Sequence, residues 1–154
     1  MFALITTTIM LPDFILTSGI QIATNLINSV NFLIKLSHSD SDLKNLLTTS
    51  DVLDDLGIIK QFILEQKSRE HTQQSVSVCI DSLNQTLIQL ENNINSITQK
   101  IQNHRNLWFN FIRSYGIDEE KKQIPILINK MRHRFELTIK MITAQNHDNF
   151  ICSK

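Results

Sequence analysis

The strongest constraint on the fold of this chain is an unbroken seam of apolar residues in its second half. The seam alternates steps of four and three residues, at Val76, Ile80, Leu83, Leu87, Leu90, Ile94, Ile97, Ile101, His104, Trp108 and Phe111. Such spacing predicts one long helix whose apolar stripe packs against neighbours inclined by about 20°. The positions outside the seam are polar and are expected to face solvent, at Asn84, Gln85, Glu91, Asn92, Asn95, Ser96, Gln99 and Lys100.

Two structures are compatible with this seam: an intramolecular helical bundle and a two-stranded coiled coil between chains. A free coiled coil favours charged residues beside the seam, whereas amides and hydroxyls flank this one. The bundle is therefore preferred, and the seam is expected to serve as its core or as an oligomerisation surface.

Composition points to an all-α protein. Among 154 residues there are only 3 Gly and 2 Pro, which leaves little material for tight turns or phosphate-binding loops. Lys and Arg number 15, as do Asp and Glu, so no net positive charge attracts nucleic acid. The length predicts one domain. We expect an antiparallel four-helix bundle, with the aromatic segment 107–113 as a turn or a short connecting helix before the last long helix.

The first helix is expected to follow Asp13, with residues 1–12 forming a separate apolar segment. From Phe14 to Ile34 the chain carries no charge and is about long enough to span a bilayer. Polar residues nevertheless recur along one face of this stretch, which favours an amphipathic bundle helix over a transmembrane one. Its inward face is predicted to contain Leu16, Ile20, Ala23, Ile27, Val30 and Ile34.

The second segment is expected to be either one kinked helix or a short helix followed by a longer one, with Ser50 capping the second start. Asp40-Ser41-Asp42 is interpreted as helix capping rather than a calcium loop. The last helix is predicted to carry Ile124, Ile128, Met131, Phe135, Ile139 and Ile142 inward. The bundle then spans residues 13–144, and residues 145–154 form a flexible tail.

No motif of enzymatic chemistry is present, so an enzyme is not expected, nor is a metal or cofactor. There is no glycine-rich nucleotide loop, no HExxH and no paired Cys-x-x-Cys, and the five histidines share no ligand spacing. Asn84-Gln85-Thr86 matches a glycosylation acceptor by accident, inside a predicted helix. Two distant cysteines and the lack of a signal-peptide pattern favour a cytoplasmic location, with peripheral membrane contact as an addition.

Charge is unevenly distributed along the chain. Residues 1–100 hold six basic and ten acidic residues, a balance of −4, whereas residues 101–154 hold nine and five, a balance of +4. Basic residues in the second half can form a solvated helix face or can meet anionic lipid.

The chain resembles the amino-terminal four-helix domain of mixed-lineage kinase domain-like proteins and the related HeLo-type domains of cell-death proteins. The resemblance is carried by the patterns at 19–23, 52–59 and 79–83, by the aromatic segment 108–112, and by 128–135. It implies self-association and binding to phosphoinositide-containing membranes through basic residues. The positions that it assigns to lipid binding here are Lys130, Arg132, Arg134 and Lys140.

These observations support two hypotheses about function. The first is a non-enzymatic bundle that self-associates and binds anionic lipid, as the resemblance to cell-death domains implies. The alternative is a scaffolding coiled-coil or adaptor protein that binds another helical protein and has no lipid role.

Overall fold

The computed structural model describes the backbone of residues 2–69, 74–107 and 115–152, and side chains from residue 13 onward within these ranges except 149 and 152. In the described residues the chain forms five α-helices and a 3₁₀ turn at Ser37–Ser39. The helices are α1 (Phe2–Leu36), α2 (Ser41–Thr49), α3 (Val52–Lys67), α4 (Gln74–Arg105) and α5 (Asp118–Cys152). Four of them, α1, α3, α4 and α5, pack into a helical bundle around one apolar core.

The direction of each long helix follows from its contacts. Gly19 of α1 lies beside Ile63 near the end of α3, so these two helices are antiparallel. Asn84 of α4 bonds to Ile15 of α1, and Arg105 bonds to Leu36, so α1 and α4 are parallel. Lys100 of α4 pairs with Glu120 of α5, and Gln89 with Lys130, so α5 is antiparallel to α4. Successive long helices therefore alternate in direction, as expected for an antiparallel bundle.

The seam on α4 forms the centre of the core. Its eight members from Val76 to Ile101 are each at most 2% exposed, which confirms the intramolecular bundle. Trp108, Phe111 and the predicted short connecting helix lie outside the described residues. Asn84, predicted to face solvent, is instead buried, because its amide nitrogen donates to the Ile15 carbonyl at 2.9 Å. The asparagine of the glycosylation motif is therefore inaccessible in the folded chain.

A glycine makes the close approach of α1 and α4 possible. A methyl group at Gly19 would lie 2.6 Å from Asn84 Oδ1 and 3.1 Å from Ile63 Cδ1, closer than side chains normally pack. The glycine therefore leaves room on α1 for the Asn84 amide. Asn84 Oδ1 itself is buried without a hydrogen-bond partner among the described residues.

The first helix starts earlier than predicted. It begins at Phe2 and runs through Pro12 and Asp13, whereas the sequence suggested a start after Asp13. A proline removes one backbone donor and can bend a helix without ending it. The amphipathic interpretation of this helix is confirmed, since Leu16, Ala23 and Val30 are buried. Ile20, Ile27 and Ile34 are half-buried, and the fully buried line runs instead through Gly19, Leu26 and Leu33.

The second segment is a short helix followed by a longer one. Asp40 caps α2, its carboxylate accepting the Leu43 N–H at 2.9 Å, which confirms the capping interpretation. The expected cap of α3 at Ser50 is wrong. Asp51 precedes the helix in a left-handed conformation with φ 54°, while the Ser50 hydroxyl bonds back to Leu47.

Two details of the last helix also differ from the prediction. Ile139 is 38% exposed, and Thr138 is fully buried in its place. The hydroxyl of Thr138 donates to the Arg134 carbonyl at 2.8 Å, so this polar residue is satisfied inside the core. The helix also continues through the predicted tail to Cys152, and Gln145 is buried.

Candidate functional site

The four basic residues assigned to lipid binding lie on different sides of α5. A helix turns by about 100° per residue, so Lys130 and Arg132 point in nearly opposite directions around its axis. Lys130 Nζ donates to Gln89 of α4 at 2.9 Å, whereas Arg132 reaches α3. Lys140 is exposed on the outer side and forms no ion pair among the described residues. Arg134, four positions after Lys130, lies on nearly the same side of α5 as Lys130. The structure therefore separates Arg132 from the other basic residues, because its side chain is turned toward α3.

Arg132 joins helix α5 to the junction between α2 and α3. Its Nε lies 2.7 Å from Asp55 Oδ2, and a second nitrogen of its guanidinium donates to the Ser50 carbonyl. The charge of Arg132 is thus compensated within the chain. Eleven positions earlier on α5, Lys121 pairs with Asp40 at 3.0 Å, so both ends of α2 are held against α5.

The Asp40 carboxylate belongs to a polar network at one end of the bundle. Partial burial alone raises its pKa, but the Leu43 N–H and Lys121 outweigh that effect, and the pKa lies below its usual value. A hydrogen bond from Lys100 likewise lowers the pKa of Glu120. In the same region Tyr115 contacts His104, with ring centroids 4.6 Å apart, and bonds to Ser39. These pairs join the helix ends to each other.

The described part of the chain contains neither a cluster of metal ligands nor a membrane-spanning helix. There, no group of three or more His, Cys, Asp and Glu side chains is placed to hold a metal ion. Within the same residues, no helix combines the length and hydrophobicity needed to cross a bilayer.

The side of the bundle between α3 and α5 is the most sparsely packed. Helix α1 packs along both α3 and α4, and α4 packs along α5, but α3 touches α5 at few points. One of these is the edge-to-face pair of Phe62 and Phe135, with centroids 5.1 Å apart. Another is the Asp55–Arg132 ion pair.

A shallow groove of about 780 Å³ opens beside this aromatic pair. Leu53, Ile58, Phe62, Phe135 and Ile139 supply its apolar surface. Ile58 is 58% exposed, a large fraction for an isoleucine that lies within a helix of a folded chain. The charged residues among those that line the groove, Asp54 and Glu65, are both acidic.

The groove did not emerge from the periodicity of the sequence. One signal was present: Ile58 and Ile59 are adjacent in a helix, so only one of them can enter the core, and Ile59 does so. The contribution of Phe135 and Ile139 depends on how α5 sits beside α3, which the pattern of either helix does not specify.

A comparison with known proteins finds a relative of unassigned role. An uncharacterized protein of Acanthamoeba polyphaga mimivirus is 28% identical over 132 residues, covering 77% of this chain. The chain spans 64% of that relative, which is less than two thirds of its length. No family model and no solved structure matches the chain.

Proposed function

We propose that this protein is a non-enzymatic helical interaction module that binds another helical protein through the open α3–α5 side of its bundle. The observation that carries the proposal is the exposed apolar surface of Ile58 and Ile139 beside the Phe62–Phe135 pair. A groove between two helices is a common receptor for an amphipathic helix, whose apolar face is buried on binding. The proposal places the protein in the cytoplasm, where helical partners are abundant.

The geometry favours this adaptor role over the membrane role that the resemblance to HeLo-type domains implies. Lipid binding needs several cations facing the same membrane surface. Arg132 is paired with Asp55, and Lys130 faces Gln89 on another side of α5. Self-association through the α4 seam would first require the core to open, because the seam is buried.

The test is selection of helical peptides from a random library against the folded chain. Selected peptides are then titrated against the wild type, Ile58→Arg and Val78→Arg. Val78 is the matched control, since it is 60% exposed on α4 and does not line the groove. We expect binding to be at least about tenfold weaker for Ile58→Arg, because a charge replaces a buried apolar contact, and unchanged for Val78→Arg. Equal binding to both variants contradicts the proposal.

The same variants separate the other hypotheses. If the chain self-associates through this side, sedimentation equilibrium will show an oligomer for the wild type and Val78→Arg but a monomer for Ile58→Arg. If it acts on membranes, liposomes that contain phosphoinositide will co-sediment the wild type. Such binding would be lost when Lys130, Arg132, Arg134 and Lys140 are replaced together by Ala, and it would weaken with salt.

A further inference from the structure

Gly57 is a glycine that the packing of this chain does not require. Gly19 makes room for Asn84, and Gly116 adopts φ +66°, a conformation that favours glycine. At Gly57, by contrast, an added methyl group would meet nothing within 4 Å. Glycine inside a helix costs about 1 kcal/mol of helix stability relative to alanine. The position is exposed and helical, so the packing of this chain does not explain why it is glycine.

The missing side chain enlarges a hole on the outer face of α3. Asp54, Gly57, Ile58 and Gln61 are spaced i, i+3, i+4 and i+7, and all four line the groove. Four residues at this spacing form the hole that receives a side chain from a facing helix. Because one corner is glycine, the hole can accept a large apolar residue close to the α3 backbone.

The charges around this hole indicate which helix fits. Asp54 and Glu65 lie on the same face of α3, eleven positions apart, or about 16 Å along the helix axis. Both are exposed, and Glu65 accepts a hydrogen bond from Gln61 at 3.3 Å. Among the described residues neither carboxylate forms an ion pair, and Arg132 pairs with Asp55 instead. The groove is therefore apolar along its floor and acidic at both ends.

We infer that the occupant of the α3–α5 groove is a cationic amphipathic helix. It inserts a large apolar side chain over Gly57 and carries Lys or Arg about three turns apart to meet Asp54 and Glu65. This inference rests on the proposed function and specifies the partner's chemistry. Exposed charge pairs of this kind contribute mainly to specificity and to the rate of association.

The probes for the test are two model peptides of about 18 residues, long enough to form a helix on binding. Both peptides have the same apolar face of Leu and Ala residues. On either side of this face, one peptide carries Lys residues (the Lys peptide) and the other carries Glu residues (the Glu peptide). We expect the Lys peptide to bind the full chain at least about tenfold more tightly than the Glu peptide at low salt, with the difference shrinking as salt rises. In Asp54→Asn/Glu65→Gln the affinity for the Lys peptide should fall about threefold to tenfold.

Gly57→Gln tests the hole itself. Glutamine is a good helix former, so this variant should melt no lower than the wild type, yet its side chain fills the hole and should weaken Lys-peptide binding about tenfold or more. Gly57→Ala is a smaller second variant, and Asn95→Gln on the exposed face of α4 is the control. Unchanged binding to Gly57→Gln overturns the inference about the hole.

The results also separate this inference from the proposed function. If the Lys and Glu peptides bind equally well and both lose affinity for Ile58→Arg, the groove binds helices but the cationic partner is wrong. If neither peptide binds, or if Ile58→Arg leaves the affinity for the peptides unchanged, the cationic-helix inference is overturned. The peptide selection then decides separately whether the groove binds any helix at all.

Discussion

Replacing Gly19 by alanine should destabilise the bundle, although alanine is the better helix former. The added methyl would lie 2.6 Å from Asn84 Oδ1, whereas ordinary contacts begin near 3.4 Å, so the amide must retreat by 0.8 Å. The Asn84 nitrogen is bonded to the Ile15 carbonyl at 2.9 Å, and a shift of that size strains or breaks this bond. The substitution thus acts on both the packing and the hydrogen bonding of α4.

The magnitude follows from three contributions. The helix gains about 1 kcal/mol when glycine becomes alanine. Overpacking of a core costs about 1–3 kcal/mol, and a buried amide that loses its partner costs about 1–3 kcal/mol. Together these contributions give a net loss of about 1–5 kcal/mol in the free energy of unfolding, or a fall in Tm of at least about 2–4 °C for a chain of this length.

Gly57→Ala is the matched control, because its methyl meets nothing within 4 Å. It should stabilise the chain by about 0.5–1 kcal/mol, the opposite sign to Gly19→Ala. Urea denaturation followed by circular dichroism measures both variants, with equal slopes required for the comparison. If Gly19→Ala stabilises the chain as much as Gly57→Ala does, the close approach of α1 and α4 at Asn84 is refuted.

Two further predictions concern the contacts that hold α2 against α5. Arg132→Ala should lower the free energy of unfolding by about 1 kcal/mol, since it removes a charged donor from Asp55 and Ser50. The control Lys130→Ala should change it by less than about 0.5 kcal/mol. Equal effects of the two substitutions in urea denaturation would count against the structural role of Arg132. The pKa of Asp40 lies below its ordinary 3.8, so the stability that it contributes is present above that pH and is lost as pH falls through the lower folded value. In acid titrations of stability, Asp40→Asn should remove this loss, and an unchanged profile would argue against the Lys121 pair.

The long helices were predictable because their apolar residues recur at the period of a helix. On α4 every described seam position except His104 is fully buried, since a long run of Ile and Leu at this spacing has few other ways to leave water. Errors arose where a polar residue enters the core. Asn84 was expected to face solvent, and Thr138 was not among the residues expected to point inward, but both are buried. The acceptor of Asn84, the Ile15 carbonyl, belongs to another helix and is invisible in the local pattern, whereas Thr138 donates to Arg134 on its own helix.

The candidate site was less predictable than the core. Basic residues on α5 suggest an outward cationic face, but the pairing of Arg132 with Asp55 joins positions 77 residues apart. Periodicity describes each helix separately, whereas the groove depends on the spacing between α3 and α5. In the sequence, Gly57 is no more than a residue of low helix propensity, and its place in an exposed groove is visible only in three dimensions.

The attachment of α2 at both ends also determines the order in which the molecule can open. This helix is nine residues long and contributes two leucines, Leu43 and Leu47, to the core that the long helices form. Its retention depends on Lys121 at one end and Arg132 at the other. Elements with few buried contacts exchange their amide hydrogens through local opening, at a free energy below that of global unfolding. We therefore expect the amides of α2 to exchange at a lower free energy than those of the long helices, while the rest of the bundle persists.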